Sequence, residues 1–124
     1  MAHLPVDSET FCVLPWIHLH IHPDGIVYPC CQSGRSGSVG DLRTASLEDV
    51  WNGPGIREMR MNMMNGKKCS QCEKCYRDEA LQPGSSLRET SNNYFLKKYW
   101  NKLQYTTRDG HVAEFRVPFV DLRF

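Results

Sequence analysis

Three cysteines at a spacing of three residues hold the most distinctive chemistry of this chain. Cys69, Cys72 and Cys75 lie on one short predicted loop with the sequence CSQCEKC. Two residues between cysteines let the backbone turn so that both thiolates face one ion or cluster, a spacing common in zinc and iron–sulfur sites. Both kinds of site usually take four ligands, and a triplet supplies three. At least one further sulfur must therefore come from elsewhere in the chain.

The remaining cysteines all lie in the first quarter of the chain, at Cys12, Cys30 and Cys31. Residues 16–29 between them read as a β-hairpin, because apolar residues alternate with histidines and a Pro-Asp-Gly turn follows. A hairpin brings its two ends together, so Cys12 and Cys30 become neighbours. We therefore expect the front hairpin and the mid-chain triplet to be tied together through one metal centre.

Composition narrows the classes of protein. The chain has 124 residues, of which 40% are hydrophobic, so we expect one small, loop-rich domain. A net charge of +1 disfavours a dedicated nucleic-acid binder. The sequence shows neither an apolar run of membrane-spanning length nor a signal peptide. We expect a cytoplasmic protein with no membrane partner, in which six cysteines are more typical of metal ligands than of disulfides.

The other segments predict a small α+β fold around this centre. After a leader over residues 1–10 and the hairpin, Ser46 opens a short helix and Pro54 opens a second one that ends at Asn65-Gly66. The methionines of this second helix, such as Met59 and Met63, are expected to pack in the core.

The C-terminal third predicts one longer helix and a strand. Ser86 opens this helix, which runs over about 86–104. A turn at Arg108-Asp109-Gly110 then precedes a strand over 117–124. We expect the hairpin histidines His18, His20 and His22 to form a solvent-facing stripe. The tryptophans are expected to shield the core or the metal centre from water.

Taken in order, these pieces resemble the SPASM/Twitch family of auxiliary iron–sulfur domains attached to radical S-adenosylmethionine (SAM) enzymes. The matching pieces are Phe11-Cys12 with Pro15-Trp16, Pro23-Asp24-Gly25, Tyr28-Pro29-Cys30-Cys31, Ser46-Leu47 to Val50-Trp51-Asn52, Cys72-x-x-Cys75-Tyr76, Glu79, and Ser86-Leu87-Arg88. The resemblance covers about residues 11–89. A Twitch domain binds one four-iron cluster and a full SPASM domain binds two, and six cysteines in this layout look like Twitch.

The resemblance implies a ligand set. Cys12, Cys30, Cys72 and Cys75 would hold one [4Fe-4S] cluster. Cys69 either replaces Cys72 or Cys75 as a ligand or sits beside the cluster, and Cys31 is expected next to the ligands or as an alternate to one of them. Four basic residues close in sequence are expected to offset the cluster's negative charge: Lys67, Lys68, Lys74 and Arg77. We expect Glu79 and Arg88 to pair structurally.

The resemblance also implies a role. Radical SAM catalysis needs a Cys-x3-Cys-x2-Cys loop, which this sequence lacks. We therefore expect residues 11–105 to form an auxiliary domain that does not catalyse alone, and residues 106–124 to form a hairpin or strand leading into a missing radical SAM barrel. The cluster would serve electron transfer or substrate placement for a catalytic domain in cis or in trans. The substrate would be a peptide or a small molecule.

A zinc-stabilised binding module without redox chemistry is the alternative. Zn²⁺ also takes four Cys or His ligands, but a zinc ribbon uses two short Cys-x-x-Cys knuckles. This chain has one such group and one wide pair of cysteines. The spacing therefore fits zinc less well, and the resemblance to the SPASM/Twitch family favours iron–sulfur.

Overall fold

A small sheet surrounded by short helices forms the fold over the described residues, which are 9–113 and 119–122 of this computed structural model. The elements in chain order are α1 (Leu14–Ile17), β1 (His18–Ile21), β2 (Ile26–Tyr28), β3 (Gly40–Asp41), α2 (Leu47–Trp51), α3 (Pro54–Met64), α4 (Glu73–Leu81), α5 (Leu87–Phe95), α6 (Trp100–Gln104) and β4 (Phe119–Leu122). Single 3₁₀ turns lie at Arg35–Gly37 and Ser70–Cys72. The predicted α+β, loop-rich class is confirmed. No described helix has both the length and the hydropathy of a membrane span.

The predicted hairpin forms, but its first strand starts later than expected. β1 and β2 pair antiparallel, with His20 opposite Tyr28. The residues just before β1 form the helical turn α1 instead of strand. Pro15 lies in this turn, where its missing N–H costs nothing because the first N–H groups of a helix have no partner within the helix. The strand therefore begins at His18.

The sheet has the order β3-β2-β1-β4, and β4 lies parallel to β1. Leu19 of β1 is opposite Val120 of β4. The predicted C-terminal strand is confirmed over Phe119–Leu122. Its remaining positions, 117, 118, 123 and 124, lie outside the described residues, as do residues 1–8 of the predicted leader.

The prediction of a solvent-facing histidine stripe is wrong. The His20 side chain is only 4% exposed, and His18 and His22 are half-buried. His20 and residues of the loop after β2, such as Arg35, together line a cavity of about 90 Å³ on this face. The alternation of the sequence is real, but its polar side is not open to solvent.

The predicted longer helix over 86–104 is also wrong, since a turn at residues 96–99 separates α5 from α6. The rings of Phe95 and Tyr99 both pack against Phe119 of β4, with centroids 5.2 and 6.1 Å away. These tertiary contacts outweigh the local helical preference. The predicted helix start is confirmed, because Ser86 Oγ accepts the N–H of Glu89 at 3.0 Å.

The core lies between the helices and one face of the sheet. Its largest fully buried apolar side chains are Trp16, Trp51, Phe11, Ile17, Leu19, Ile56 and Met63. Met59 is also buried, which confirms the predicted packing of α3. Trp16 and Trp51 shield this core as predicted, whereas Trp100 is half-buried at its edge.

Sequence reasoning missed a buried cation, Arg60, in the middle of this core. Its guanidinium donates to the carbonyl oxygens of Pro15, Trp51 and Gly110 at 2.8–2.9 Å and to Asn52 Oδ1 at 3.1 Å. Its Cζ lies 4.5 Å from the centroid of the Trp51 ring. Burial lowers the pKa of Arg60 to about 9. This side chain ties α1, α2 and α3 to the turn around Gly110.

Gly110 is at a position where a side chain has no room. Its φ is +80°, and a Cβ here would lie 2.5 Å from the Arg57 carbonyl oxygen. We expect Gly110→Ala to lower the free energy of unfolding by about 2–3 kcal/mol, because strain and overlap add. Gly66 is the matched control, since its φ is +70° but nothing lies within 4 Å of the added Cβ. There we expect a loss of about 1 kcal/mol in urea unfolding. Equal losses would contradict the packing at Gly110.

Candidate metal centre

The cysteines differ sharply in their exposure to solvent. Cys12, Cys69, Cys72 and Cys75 are buried, Cys30 is half-buried and Cys31 is exposed, and all six are free thiols. Free, buried thiols gathered in one region are the donors that soft metals and iron–sulfur clusters prefer.

Two structural elements position these thiols. Cys12 lies just before α1 and Cys30 just after β2, so the hairpin between them brings both to one end of the sheet. The sequence predicted a short loop for the triplet, but its second and third cysteines lie at the start of a helix. Cys72 caps the N-terminus of α4 and Cys75 lies in its first turn. Both residues therefore lie near the positive end of the α4 helix dipole, which favours thiolates.

The front and mid-chain thiols influence one another's ionisation, so the structure brings them together. Burial raises the pKa of Cys12, and the neighbouring Cys72, Cys30 and Cys75 raise it further. Burial also raises the pKa of Cys30 to about 12, again with contributions from Cys72 and Cys75. All four cysteines that the resemblance implied as ligands thus form one electrostatic group.

Cys69 lies beside this group. The side chains of Cys69 and Cys72 form a hydrogen bond, which lowers the pKa of Cys69 and raises that of Cys72. The Cys69 thiol also lies 3.7 Å from the Met59 carbonyl oxygen on α3. This position agrees with both sequence-based alternatives, a substitute ligand or a neighbour of the cluster. The exposed Cys31 adjoins Cys30 and influences its pKa.

Hydrogen-bond donors surround the sulfurs. Burial raises the pKa of the thiols, but backbone N–H groups work against that rise: Leu14 at Cys12, Gln32 at Cys30, and Arg88 and Leu87 at Cys75. The Tyr76 hydroxyl does the same at Cys72. Hydrogen bonds to the sulfurs are among the features that set the potential of an iron–sulfur cluster.

The sequence-based prediction of which cations offset the cluster charge is only partly supported. Lys74 acts electrostatically on Cys75, but its Nζ is also paired with Asp78 at 2.8 Å in an exposed position. Lys67 and Arg77 are exposed, and Lys68 Nζ lies 5.3 Å from the centroid of the Tyr76 ring.

The buried cation at this site is Arg88, which the sequence placed only in a structural pair. The pKa of Cys72 is raised chiefly by its hydrogen bond with Cys69 and by burial, and the Arg88 charge opposes that rise. The predicted ion pair between Arg88 and Glu79 is confirmed. The sequence signal that bears on Arg88 is the helix-opening Ser86, which places Arg88 in the first turn of α5. The proximity of Arg88 to the cysteines depends on tertiary structure and has no such local signal.

The donor set fits a cluster of several irons. Within residues 9–113 and 119–122, no three His, Cys, Asp or Glu side chains are arranged to hold a single metal ion. Four sulfurs around one Zn²⁺, at about 2.3 Å each, must approach one another to about 4 Å. Thiolates of an iron–sulfur cluster can stand further apart, because each binds a different iron. Buried thiols with N–H donors at their sulfurs are suitable ligands for such a cluster.

A cleft of about 490 Å³ is lined mainly by residues of α4 and α5. Tyr76 and Arg88, which both influence the pKa of Cys72, are among the residues that line this cleft. Its rim carries charges of both signs, including Lys68 and Glu89.

This chain is a small α+β domain that gathers thiols from two distant segments near one end of a hairpin. These features define the class of cysteine-based cluster-binding modules. Comparison with protein families identifies it further: residues 12–76 match SPASM, an iron–sulfur cluster-binding domain. Since the match spans more than half of the 124 residues, the chain belongs to the SPASM family. The resemblance to SPASM predicted from the sequence is thereby confirmed. No curated protein and no solved structure matches the chain significantly.

Proposed function

We propose that this chain binds one [4Fe-4S] cluster through Cys12, Cys30, Cys72 and Cys75. The observation that carries this proposal is the gathering of buried or half-buried thiols from the two ends of the hairpin and the start of α4, which are near enough to raise the pKa values of Cys12 and Cys30. Family membership supports the class of cofactor, because SPASM is an iron–sulfur cluster-binding domain. Cys69 is kept beside Cys72 as a neighbour of the cluster.

We further propose that the cluster transfers electrons for a radical SAM catalytic domain, in cis or in trans. When bound, such a cluster accepts and returns a single electron. Four thiolates occupy all the irons and leave no position open for a substrate. The N–H groups at the sulfurs and the Arg88 charge stabilise negative charge there, and burial of Cys12, Cys72 and Cys75 keeps water away. These features suit an electron carrier.

Substrate placement is a second role, which the cleft of about 490 Å³ favours. Tyr76 and Arg88 line this cleft and influence the pKa of Cys72, so a bound peptide or small molecule would contact residues next to a proposed ligand. The two roles are compatible, because a substrate held in the cleft would be near the electron donor.

Spectroscopy of the anaerobically purified chain tests the electron-transfer role. We expect a brown protein whose visible absorbance bleaches on reduction with dithionite, with an electron paramagnetic resonance signal of a one-electron-reduced cluster that disappears on reoxidation. Cys31→Ala is the matched control and should give the same spectra, because Cys31 is exposed. A colourless protein with one bound zinc would contradict the cofactor. A cluster that cannot be reduced and reoxidised would contradict electron transfer.

A further inference from the structure

We propose that the buried pair Arg88 and Glu79 sets the reduction potential of the cluster, with Arg88 favouring the reduced form and Glu79 limiting that effect. This inference rests on the proposed function, since it assigns a tuning role to residues around the proposed ligands. Neither residue would ligate iron. Both would act through the charge that they place beside the sulfurs.

Arg88 reaches the site from three directions. Its side chain is 5% exposed, and its Nη1 donates to the Phe11 carbonyl oxygen at 2.8 Å, next to Cys12. Its backbone N–H acts on the Cys75 sulfur, and its charge acts on Cys72. Arg88 thus influences two proposed ligands, Cys72 and Cys75, and is hydrogen-bonded to Phe11, the neighbour of a third.

Glu79 is the counter-charge. Its Oε2 accepts Arg88 Nε at 2.9 Å and Ser86 Oγ at 2.7 Å, and its Oε1 pairs with Arg88 Nη2. Burial raises the pKa of Glu79, but hydrogen bonds from Arg88 and Ser86 outweigh it and hold the pKa below its usual value. The carboxylate is therefore ionised at neutral pH and compensates part of the Arg88 charge.

The sign of each effect follows from electrostatics. Reduction adds one negative charge to the cluster, and a nearby buried cation lowers the energy of that added charge. Net charge, hydrogen bonds to sulfur and solvent exposure are the features that set cluster potentials. Removing the Arg88 charge should make reduction harder. Removing the Glu79 charge leaves Arg88 uncompensated and should make reduction easier.

Potentiometric titration of cluster-loaded protein tests this pair. We expect Arg88→Gln to make the equilibrium constant for one-electron reduction of the cluster tenfold less favourable, which lowers the reduction potential by about 59 mV. Glu79→Gln should raise it by a comparable factor, and Arg88→Lys, which keeps the charge, should fall between Arg88→Gln and the parent. The control is Lys67→Gln, which removes an exposed charge near the same cysteines in sequence and should change the equilibrium less than about threefold, because water screens it.

Opposite shifts in the two variants would support the inference, because a structural loosening that admits water would move both potentials in the same direction. Shifts of the same sign, or no shift in either variant, would overturn it. If Arg88→Gln fails to take up a cluster, Glu79→Gln carries the test, and an unchanged or lowered potential there overturns the inference. Iron analysis of the parent keeps the two proposals separate, since a parent without a cluster contradicts the proposed function instead.

Discussion

Replacing Cys72 and Cys75 together with alanine is expected to abolish cluster binding and to destabilise the start of α4. The double variant removes two of the four proposed ligands, both from the N-terminal end of that helix. Because ligation free energy is also folding free energy in small metal-binding domains, the loss should extend beyond the cofactor. We expect iron per chain to fall at least about tenfold, with a lower midpoint in anaerobic urea unfolding.

Two single variants sharpen this experiment. Cys31→Ala should retain the iron content of the parent, because the Cys31 side chain is exposed. Cys69→Ala separates the alternatives for its role: retained iron places Cys69 beside the cluster, and lost iron makes it a ligand. A Cys72 and Cys75 double variant with full iron and parental stability would contradict the site.

Arg60→Met is expected to cause the largest loss of stability without touching the metal centre. The substitution leaves the carbonyl oxygens of Pro15, Trp51 and Gly110 buried without their donor. Each unsatisfied buried polar group costs about 1–3 kcal/mol, and the three are not additive. We expect the free energy of unfolding to fall by about 3–5 kcal/mol in urea titrations.

Arg57→Met is the matched control for Arg60. Arg57 also lies on α3, but its ion pair with Asp109, at 3.1 Å, is partly exposed. Such pairs contribute about 0–1 kcal/mol. If Arg60→Met cost no more than Arg57→Met, the buried guanidinium would not be the tie between the helices and the Gly110 turn.

The features that the sequence predicted correctly are those with a local signal. Alternating apolar residues and the Pro-Asp-Gly turn predict the hairpin, and its pairing brings the segments that carry Cys12 and Cys30 to the same end of the sheet. The helix-opening Ser46 and Ser86 each accept the backbone N–H of the third residue after them. Turns and helix caps of this kind depend on a few adjacent residues, so the sequence alone predicts them.

The features that the sequence did not predict depend on distant segments. His20 alternates as a polar strand residue should, yet it is buried on a face where residues from the loop after β2 line a cavity with it. In the sequence, Arg60 and Arg88 resemble ordinary charged helix residues. Their burial depends on carbonyl oxygens from the N-terminal part of the chain, those of Pro15 and Phe11. Nothing local marks which of several nearby cations will face the cysteines.

The pairing of β4 with β1 belongs to the same category. A strand over 117–124 was predictable from composition, but its parallel partner at the front of the chain was not. The expectation that this strand leads into a radical SAM barrel stays a prediction.

Iron and acid-labile sulfide per chain, measured on anaerobically prepared protein, test the central claim most directly. That claim is that thiols from the front hairpin and from the start of α4 hold one four-iron cluster. We expect about four irons and four sulfides per chain, as one [4Fe-4S] cluster requires. One zinc without sulfide, or about eight irons with eight sulfides, would contradict it.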